Sequence, residues 1–370
     1  MIDTIKILIA LRFIKIIKPE RFGGTNQIKQ FEMTDIYGNA SMSYTNPPTK
    51  DEKRQGYFPR IALAKNAFYI NESLINLSIE CSLPKILFNN NVEELKNHDI
   101  CNVISKLQEK LLIMGVEVSN EAIRNAYVQR VDYSKNFIIK SNLQLFLHHF
   151  TKIPIDPKLG IIKTDYQRGG TGMKFYTNLY QVIIYNKLAE IEKSLKYSDS
   201  RSLTNDNYSQ REIFNTLQER GLKIIRYEVS LKRKKITKLP IQNFNFESLF
   251  NADLSKQILQ THIEKLHSGI RSLNLYTSFS LTDRIKIAFP NIKSNRLASL
   301  KGYMQDIAEN GYDFLRSECN MKSSQISRLK NDIKLINEVS LDDNEILNDI
   351  KSIESSLERF KALRLRKTGE

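Results

Sequence analysis

The chain has 370 residues, of which 41% are hydrophobic, so it can bury a sizeable core in one large domain or in two or three smaller ones. Its 56 Lys and Arg residues outnumber 41 Asp and Glu residues, and the net charge of +15 favours a polyanionic partner, most commonly nucleic acid, over an ordinary basic protein. Three widely spaced cysteines without zinc spacing argue against a disulfide framework and for a reducing cytoplasm, and no apolar run is long enough for a membrane span.

Strands and short helices alternate along the first two thirds of the chain. Apolar alternation and β-forming residues predict the strands, and apolar residues at helical spacing predict the helices. In chain order we expect a strand at 4–14, a hairpin that ends near Ser82, a helix at 91–115, a strand at 126–134, a glycine-containing hairpin at 164–177, a strand at 179–185, helices at 186–197 and 210–220, and a strand at 224–231.

The pattern changes beyond Pro240, where strands fade and helical periodicity continues to the end of the chain. We therefore predict an α+β fold with an antiparallel sheet in residues 1–245 and a mainly helical region in residues 246–370. The first region would be catalytic, and the second would bind DNA or serve as an accessory region.

Three of the predicted strands each place one carboxylate among apolar neighbours: Glu80, Asp132 and Glu228. A charged and unpaired carboxylate in such a place costs several kcal/mol, so each needs an arginine or a metal ion as its partner. We expect the three to lie on one face of the sheet and to converge on one metal ion, and their hard oxygen ligands suit Mg²⁺ or Mn²⁺. Glu80, taken alone, is more simply explained as a solvated acid on an edge strand.

Two of these strands share one sequence pattern, because Arg130-x-Asp132-x-Ser134 matches Arg226-x-Glu228-x-Ser230. Side chains alternate along a strand, so the arginine, the acid and the serine of each should point to one face. The match allows two interpretations, a pair of buried Arg–carboxylate bridges or a metal site with supporting arginines. A five-residue match is also too short to establish an internal duplication.

Tyr185 is the best candidate for a nucleophile, because it ends the apolar strand QVIIY, where a side chain can emerge from the sheet toward a groove. Lys187 follows two residues later and would share its face if the strand continued, where it could stabilise a phenolate or a phosphate. Tyr133, Tyr180 and Tyr227 should face the opposite way by strand alternation, whereas Tyr176 is not excluded. A tyrosine that merely packs against the strand is the alternative.

Several cations and one helix are candidates for DNA contacts. A capped helix at 323–336 offers polar side chains that suit the major groove, although its apolar face could simply pack. The cations could likewise be an ordinary solvated charge run. The candidates are Arg168, Lys174, Lys232, Arg233, Lys234, Lys235, Gln325 and Arg328.

Five segments in order resemble the gene II replication proteins of filamentous phages and the wider set of phage and plasmid rolling-circle initiators. They are LSIECSLPKIL, VQRVDYS, VIIYNKLAEIE, IIRYEVSLKRKKI and KGYMQDIAENGYDFL, together with the start MIDTIKI. The resemblance implies an enzyme that nicks the plus strand of a double-stranded origin through Tyr185 and later rejoins the displaced single strand. A phosphotyrosine link conserves the bond energy, so joining needs no nucleotide triphosphate. It also implies host helicase and polymerase as partners in a bacterial cytoplasm.

The chain departs from the larger His-hydrophobic-His nuclease superfamily, because His148 and His149 are adjacent and no paired-histidine motif is present. Acidic residues would have to replace those histidines as metal ligands. A non-catalytic DNA-binding regulator and a metal-dependent nuclease that uses water remain alternatives. An NTPase is disfavoured, since the glycines at 169–172 lack phosphate-loop spacing.

Overall fold

A computed structural model describes residues 1–24, 43–66, 74–143, 146–147, 160–162, 172–199, 208–272, 281–337, 349, 352–353 and 355–364. Within these residues the chain is α+β, as predicted, and is built on one ten-stranded sheet in which every neighbouring pair is antiparallel. No helix in this part of the chain is long and apolar enough to cross a membrane.

The sheet takes its strands from most of the first 232 residues. Its strands are β1 (Ile2–Ala10), β3 (Gly23–Gly24), β4 (Ser43–Asn46), β5 (Arg60–Asn66), β6 (Leu74–Ser82), β8 (Tyr127–Ile139), β9 (Gly160–Ile162), β10 (Gly172–Tyr176), β11 (Tyr180–Asn186) and β12 (Lys223–Lys232). Two further strands, β2 (Ile14–Ile16) and β7 (Val116–Val118), pair separately.

The strand order is β3-β4-β5-β6-β1-β8-β12-β11-β10-β9. On each side of the β1–β8 junction, the first strand of one half of the chain lies beside the last strand of that half, and the remaining strands run outward in reverse order. The two halves therefore repeat one topology. The matching frames of Asp132 and Glu228 lie on adjacent strands of the second half, so they are not the equivalent elements of this repeat.

Helices occur throughout the described residues. They are α1 (Lys50–Arg54), α2 (Leu83–Phe88), α3 (Ile100–Ile113), α4 (Asn120–Arg124), α5 (Lys187–Asp199), α6 (Tyr208–Glu219), α7 (Arg233–Ile236), α8 (Phe246–Leu249), α9 (Ala252–Ser272), α10 (Leu281–Ala288), α11 (Ser294–Ser317) and α12 (Ser323–Asn337). Three short 3-10 helices, Leu11–Phe13, Pro19–Arg21 and Asn97–Asp99, complete the set.

One face of the sheet is covered by the main hydrophobic core. The sequence predicted an apolar helix face from Val103, Ile104, Leu107, Leu111 and Leu112. In α3 the first four are fully buried in this core, whereas Leu112 is exposed. Helices α8 and α9 pack on the same core, where Phe246, Leu249 and Leu259 are fully buried. The core of the sheet thus continues beyond residue 245, the boundary expected from the sequence.

Two smaller clusters lie apart from this core. Helices α5 and α6 pack over the start of β12 through Ile191, Leu195, Leu217 and Ile224, on the face opposite the main core. Helices α10, α11 and α12 share a core of their own, which includes Ile285, Leu300, Leu315, Leu329 and Ile336. The mainly helical character expected after Pro240 is therefore confirmed for the described residues.

Candidate active site

The face of the sheet away from the main core carries the polar residues that the sequence singled out. Cross-strand register places Glu80 beside Lys6, Lys6 beside Arg130, Asp132 beside Ser230, and Glu228 beside both Ser134 and Ile183. Because directly paired residues point to the same side, Glu80, Asp132 and Glu228 share one face, as predicted. We call this surface the polar face. It also carries Arg60, Ser78, Lys174, Tyr185, Arg226 and Lys232.

Tyr185 lies on the polar face beside Glu228. Its hydroxyl donates a hydrogen bond of 2.8 Å to Glu228 Oε1, and its side chain is partly exposed. Burial is the main cause that raises the pKa of Tyr185 well above its usual value, and the nearby negative charge of Glu228 adds to it. The sequence suggested that Lys187 would lower this pKa. The phenol is instead protonated at rest, with a carboxylate in place to accept its proton.

The other tyrosines of these strands fall where alternation predicts. Tyr133 and Tyr227 are buried on the core face and donate to the carbonyl oxygens of Leu249 and Leu259 at 3.0 and 3.2 Å. Tyr180 packs edge-on against His262 of α9 at 4.8 Å between ring centroids. Tyr176 lies on the polar face, opposite Gln181, and is exposed. Tyr176 is therefore a rival of Tyr185 by orientation, without a carboxylate partner among the described contacts.

Gly172 is the cross-strand partner of Tyr185. A Cβ atom at this position would lie 2.5 Å from Tyr185 Cβ and 3.1 Å from the Ile184 carbonyl oxygen, closer than real side chains approach. The backbone of β10 therefore reaches Tyr185 only because residue 172 has no side chain. The sequence marked this glycine as part of a turn, whereas it lies within β10.

Arg226 is the central cation of the site and is almost completely buried. Its guanidinium lies 2.6 Å from Asp3 Oδ1 and 2.7 Å from Glu228 Oε1, and it donates to Ser134 Oγ at 2.9 Å. It also donates to the carbonyl oxygen of Asn91. A fixed fork of donors that touches four partners holds Glu228 in one orientation beneath the phenol.

Asp3 is a site residue that the sequence analysis missed. Burial opposes its ionisation, but the positive charges of Arg226 and Lys187 outweigh burial and lower its pKa. Burial raises the pKa of Glu228, against the effect of Arg226. The two carboxylates thus compete for one guanidinium, and Asp3 holds the negative charge more firmly. An acid in the apolar start MIDTIKI was the available sign, since it too lies among apolar neighbours.

A second group on the polar face is formed by Glu80, Arg130 and Asp132. One Arg130 nitrogen lies 3.2 Å from Glu80 Oε1 and 3.2 Å from Asp132 Oδ2. Burial raises the pKa of Asp132 to about 6, although Arg130 and Ser230 act to lower it. Asp132 Oδ1 is buried and has no hydrogen-bond partner. Strand β6 lies between β1 and β5, so Glu80 is not on an edge strand.

These contacts can be compared with the two interpretations of the repeated pattern, Arg–carboxylate bridges and a metal site with supporting arginines. Each arginine bridges carboxylates, as expected for Arg–carboxylate pairs. In the described part of the chain, no three His, Cys, Asp or Glu side chains are grouped so that they could hold a metal ion. A hydrated Mg²⁺, however, needs only one or two carboxylates when substrate phosphates complete its shell. The unpartnered oxygen of Asp132 suits such a partial site better than a cage of three acids.

Lys187 does not continue the strand, because Asn186 accepts hydrogen bonds from the amides of Leu188 and Ala189 and begins α5. Lys187 is completely buried, and its Nζ lies 2.7 Å from Glu190 Oε2 and 5.7 Å from the centre of the Tyr185 ring. Burial lowers its pKa despite Glu190. Lys187 is thus close to Tyr185, but it reaches the ring from the helix rather than from the strand.

The loop that holds Arg226 is itself held by a distant segment. Glu94 accepts from the Asn136 amide at 2.6 Å and forms a buried ion pair with Lys135. The Leu363 amide donates to Glu94 Oε2 at 2.9 Å, and the Glu94 amide donates to the Leu363 carbonyl at 3.0 Å. Residues 355–364 therefore fix the loop 91–94, which the sequence analysis placed inside a helix.

The candidate DNA-binding cations are not one continuous patch. Lys174 and Lys232 lie on the polar face. Arg233 stacks on Tyr127 at 3.7 Å, and Lys234 is exposed. Lys235 lies 5.8 Å from the Tyr180 ring, on the core side. Arg168 lies outside the described residues. In α12, Arg328 is exposed, whereas Gln325 accepts from the Lys322 amide at 2.8 Å and caps the helix.

Comparison of the chain with protein-family models, with curated proteins and with solved structures finds no match.

Proposed function

We propose that this protein is a DNA nicking and joining enzyme of the rolling-circle replication type, with Tyr185 as its nucleophile. The observation that carries the proposal is the hydrogen bond from the Tyr185 hydroxyl to Glu228, on the face of the sheet that also holds Asp132 and Glu80. A tyrosine that only packed would not need a buried carboxylate held by arginine as its partner. The antiparallel sheet would then be a nuclease domain of the rolling-circle initiator type.

The chemistry assigns a role to each group at the site. Tyr185 Oη attacks the scissile phosphorus while Glu228 accepts the phenolic proton. The bond to the 3′ oxygen breaks, and the leaving oxygen takes a proton from water to give a free 3′-OH that primes synthesis. In the reverse direction a 3′-OH attacks the phosphotyrosine and loses its proton to water, and Glu228 returns its proton to the departing phenol oxygen. No bond energy is lost, so rejoining the displaced strand needs no other energy source.

Asp132, with Glu228 and Glu80 nearby, would hold Mg²⁺ or Mn²⁺, which would polarise the phosphate and neutralise developing charge. Arg226 orients Glu228, and Arg130 keeps Asp132 and Glu80 in place until the ion and the DNA arrive. The net charge of +15, Lys174 and Lys232 would attract single-stranded and double-stranded origin DNA. Host helicase and polymerase would act on the nicked product in a bacterial cytoplasm.

The deciding experiment seeks a covalent adduct. The protein is incubated with a labelled single-stranded oligonucleotide of candidate origin sequence and Mn²⁺, and then analysed by denaturing electrophoresis. We expect an adduct with the wild type and with Tyr176→Phe, and none with Tyr185→Phe. A full-strength adduct in Tyr185→Phe would refute the assignment. Cleavage without any adduct would favour a nuclease that uses water, and binding without cleavage would favour a DNA-binding regulator.

A further inference from the structure

The repeated topology of the sheet is accompanied by a repeat in the sequence. Ile2-Asp3-x-x-Lys6 on β1 matches Val131-Asp132-x-x-Lys135 on β8. These are the two strands that meet at the junction between the halves. The two strands thus share an apolar residue, an aspartate and a lysine at the same spacing, at the start of β1 and in the middle of β8.

The last strands of the two halves, β6 and β12, share a second sequence pattern. Glu80-x-Ser82-Leu83-x-Lys85 matches Glu228-x-Ser230-Leu231-x-Arg233, and in both cases a short helix follows the strand. Glu80 on β6 is therefore the counterpart of Glu228 on β12. The strand order and this second match make an internal duplication the simplest explanation. The match between β1 and β8 is one residue out of register with it, because Lys6 pairs with Glu80 whereas Ser134, and not Lys135, pairs with Glu228.

The cross-strand pairing extends this correspondence from β6 and β12 to their neighbours, β5 and β11. Tyr185 on β11 pairs with Arg226, two residues before Glu228. On β5, Ala62 pairs with Ser78, two residues before Glu80. The first half therefore has a small methyl group where the second half has the phenol of Tyr185. It repeats the frame of the candidate site without its nucleophile.

A cleft of about 500 Å³ lies at this position. The carboxylate of Glu80 and the side chains of Ala62 and Ser78 border it, and Pro47, Pro48 and Tyr57 form part of its apolar wall. Three cations, Lys6, Lys53 and Arg60, line the same cleft. Within the part of the chain that the structure describes, none of these three side chains takes part in an ion pair or hydrogen bond.

We propose that this cleft is a second, non-catalytic binding site that holds a nucleotide of the same DNA strand that Tyr185 cuts. This inference rests on the proposed function for the identity of the strand. Cations without acidic partners suit a phosphate, and the apolar wall suits a base or sugar. Glu80 shares Arg130 with Asp132, and this contact reduces the repulsion between its carboxylate and a phosphate backbone.

The position of the cleft suits one strand that crosses the whole polar face. Arg60 on β5 and Tyr185 on β11 are separated by five strand spacings, or about 24 Å across the sheet. Lys6 and Arg130 lie between them on the central strands. Arg60 lies in one row with Lys6, Arg130 and Lys232, whereas Tyr185 pairs with Arg226, six residues before Lys232, or about 20 Å along the strands. A single strand that crosses the polar face diagonally would therefore meet the cations of the cleft and the tyrosine in one path.

Binding measurements test the cleft separately from the chemistry. Fluorescence anisotropy is measured in EDTA with a labelled single-stranded oligonucleotide of about thirty nucleotides and with a hairpin duplex. The test variant is Lys53→Ala/Arg60→Ala, and the control is Lys50→Ala/Arg54→Ala, which removes the same charge from exposed positions outside the cleft. Ala62→Phe fills the cleft without a change of charge.

We expect the test variant to bind the single strand about tenfold more weakly than the control variant. The slope of log affinity against log salt should fall by about 0.7 for each phosphate that the variant no longer neutralises. Ala62→Phe should also weaken binding, and far-UV circular dichroism verifies its fold. If Ala62→Phe does not fold, the double variants decide the matter. The proposal would be overturned if the test and control variants bound equally well, or if the test variant weakened duplex and single-strand binding to the same extent. It would also be overturned if the wild type did not bind the single strand.

The two proposals fail in distinguishable ways. If the test variant binds more weakly but no protein ever forms an adduct, the cleft is retained and Tyr185 is not the nucleophile. If the adduct forms through Tyr185 while the test variant binds like the control, the nucleophile is retained and the cleft is not a binding site.

Discussion

Asp132 has an ionisation that is coupled to folding. Its pKa is about 6 in the folded chain and 3.8 in a solvated reference, and the folded state therefore binds the proton more tightly. The stability contributed by that proton is fully present below pH 4 and is lost as the pH rises through 6. In EDTA we expect the wild type to lose about 3 kcal/mol relative to Asp132→Asn between pH 4 and pH 7.5.

Denaturant titrations of both proteins at several pH values measure this difference. Asp253→Asn is a suitable control, because that acid lies in the first turn of α9, outside the polar face. Parallel pH profiles for wild type and Asp132→Asn would contradict the assigned environment. Addition of Mg²⁺ at pH 7.5 should stabilise the wild type and not Asp132→Asn.

The hydroxyl groups of Tyr133 and Tyr185 differ in their partners: the first donates to a buried carbonyl oxygen in the core, and the second to Glu228 on the polar face. Removal of the Tyr133 hydroxyl leaves the buried Leu249 carbonyl without its donor, so Tyr133→Phe should cost about 1 kcal/mol of unfolding free energy. The variant should form the DNA adduct at the wild-type rate, because its ring lies on the core face. Thermal unfolding and the adduct assay measure the two effects. Loss of the adduct in a folded Tyr133→Phe would contradict the assignment of faces.

Strand β10 restricts the position of Tyr185 on the neighbouring strand β11, because Gly172 packs directly against it. In Gly172→Ala the new Cβ would collide with Tyr185 Cβ, so β11 must shift and the phenol must leave its position against Glu228. We expect adduct formation to slow about 100-fold, as for other displacements of about 1 Å near a reacting group, with single-strand affinity unchanged in EDTA. Gly302→Ala is the control, since nothing lies within 4 Å of its added Cβ. An unaffected rate in Gly172→Ala would show that this contact does not position Tyr185.

The strands around the site were predictable because their side chains alternate strictly. The sequence correctly placed Glu80, Asp132 and Glu228 on one face and Tyr133, Tyr180 and Tyr227 on the other. Lys187 was misplaced because parity holds only while the strand continues, and Asn186 ends the strand.

The partners of Arg226 were not predictable from local pattern. Asp3, Asn91 and Ser134 lie in three different parts of the chain, at separations that no short motif records. Asp3 also lies where the pairing of β1 with β8 slips by one residue, between Ile2 and Thr4, so simple alternation does not place it. Its contact with Arg226 depends on how the two halves of the sheet meet.

At the scale of the whole molecule, the helices α10, α11 and α12 form a cluster with its own core. Arg328 is exposed on α12, and we expect Arg328→Ala to weaken duplex binding and to lower its salt slope by about 1. Cleavage of a single-stranded oligonucleotide should not change. Lys301→Ala, which removes an exposed charge from α11, is the control. Equal effects of the two variants on duplex binding would argue against a role of α12 in recognition.

The sequence separated the chain near residue 245 because the strands end there, but packing does not follow that boundary. Helix α9 covers β8 and β12, and Ile353 and Leu357 join the core of the sheet. Hydrophobic periodicity shows that a helix has a buried face, but it does not show which surface covers it.

The contacts that fix the loop 91–94 also determine when the candidate site becomes ordered during synthesis of the chain. Glu94 and Leu363 are 269 residues apart, so their contact forms only after residue 363 has been synthesised. Until then the Asn91 carbonyl is not held against Arg226, and Glu228 is not fixed beneath Tyr185. A nascent chain on the ribosome would therefore have its sheet but not its ordered reactive centre. On the proposed function, cutting of DNA would begin only after residues 355–364 have docked on the loop 91–94.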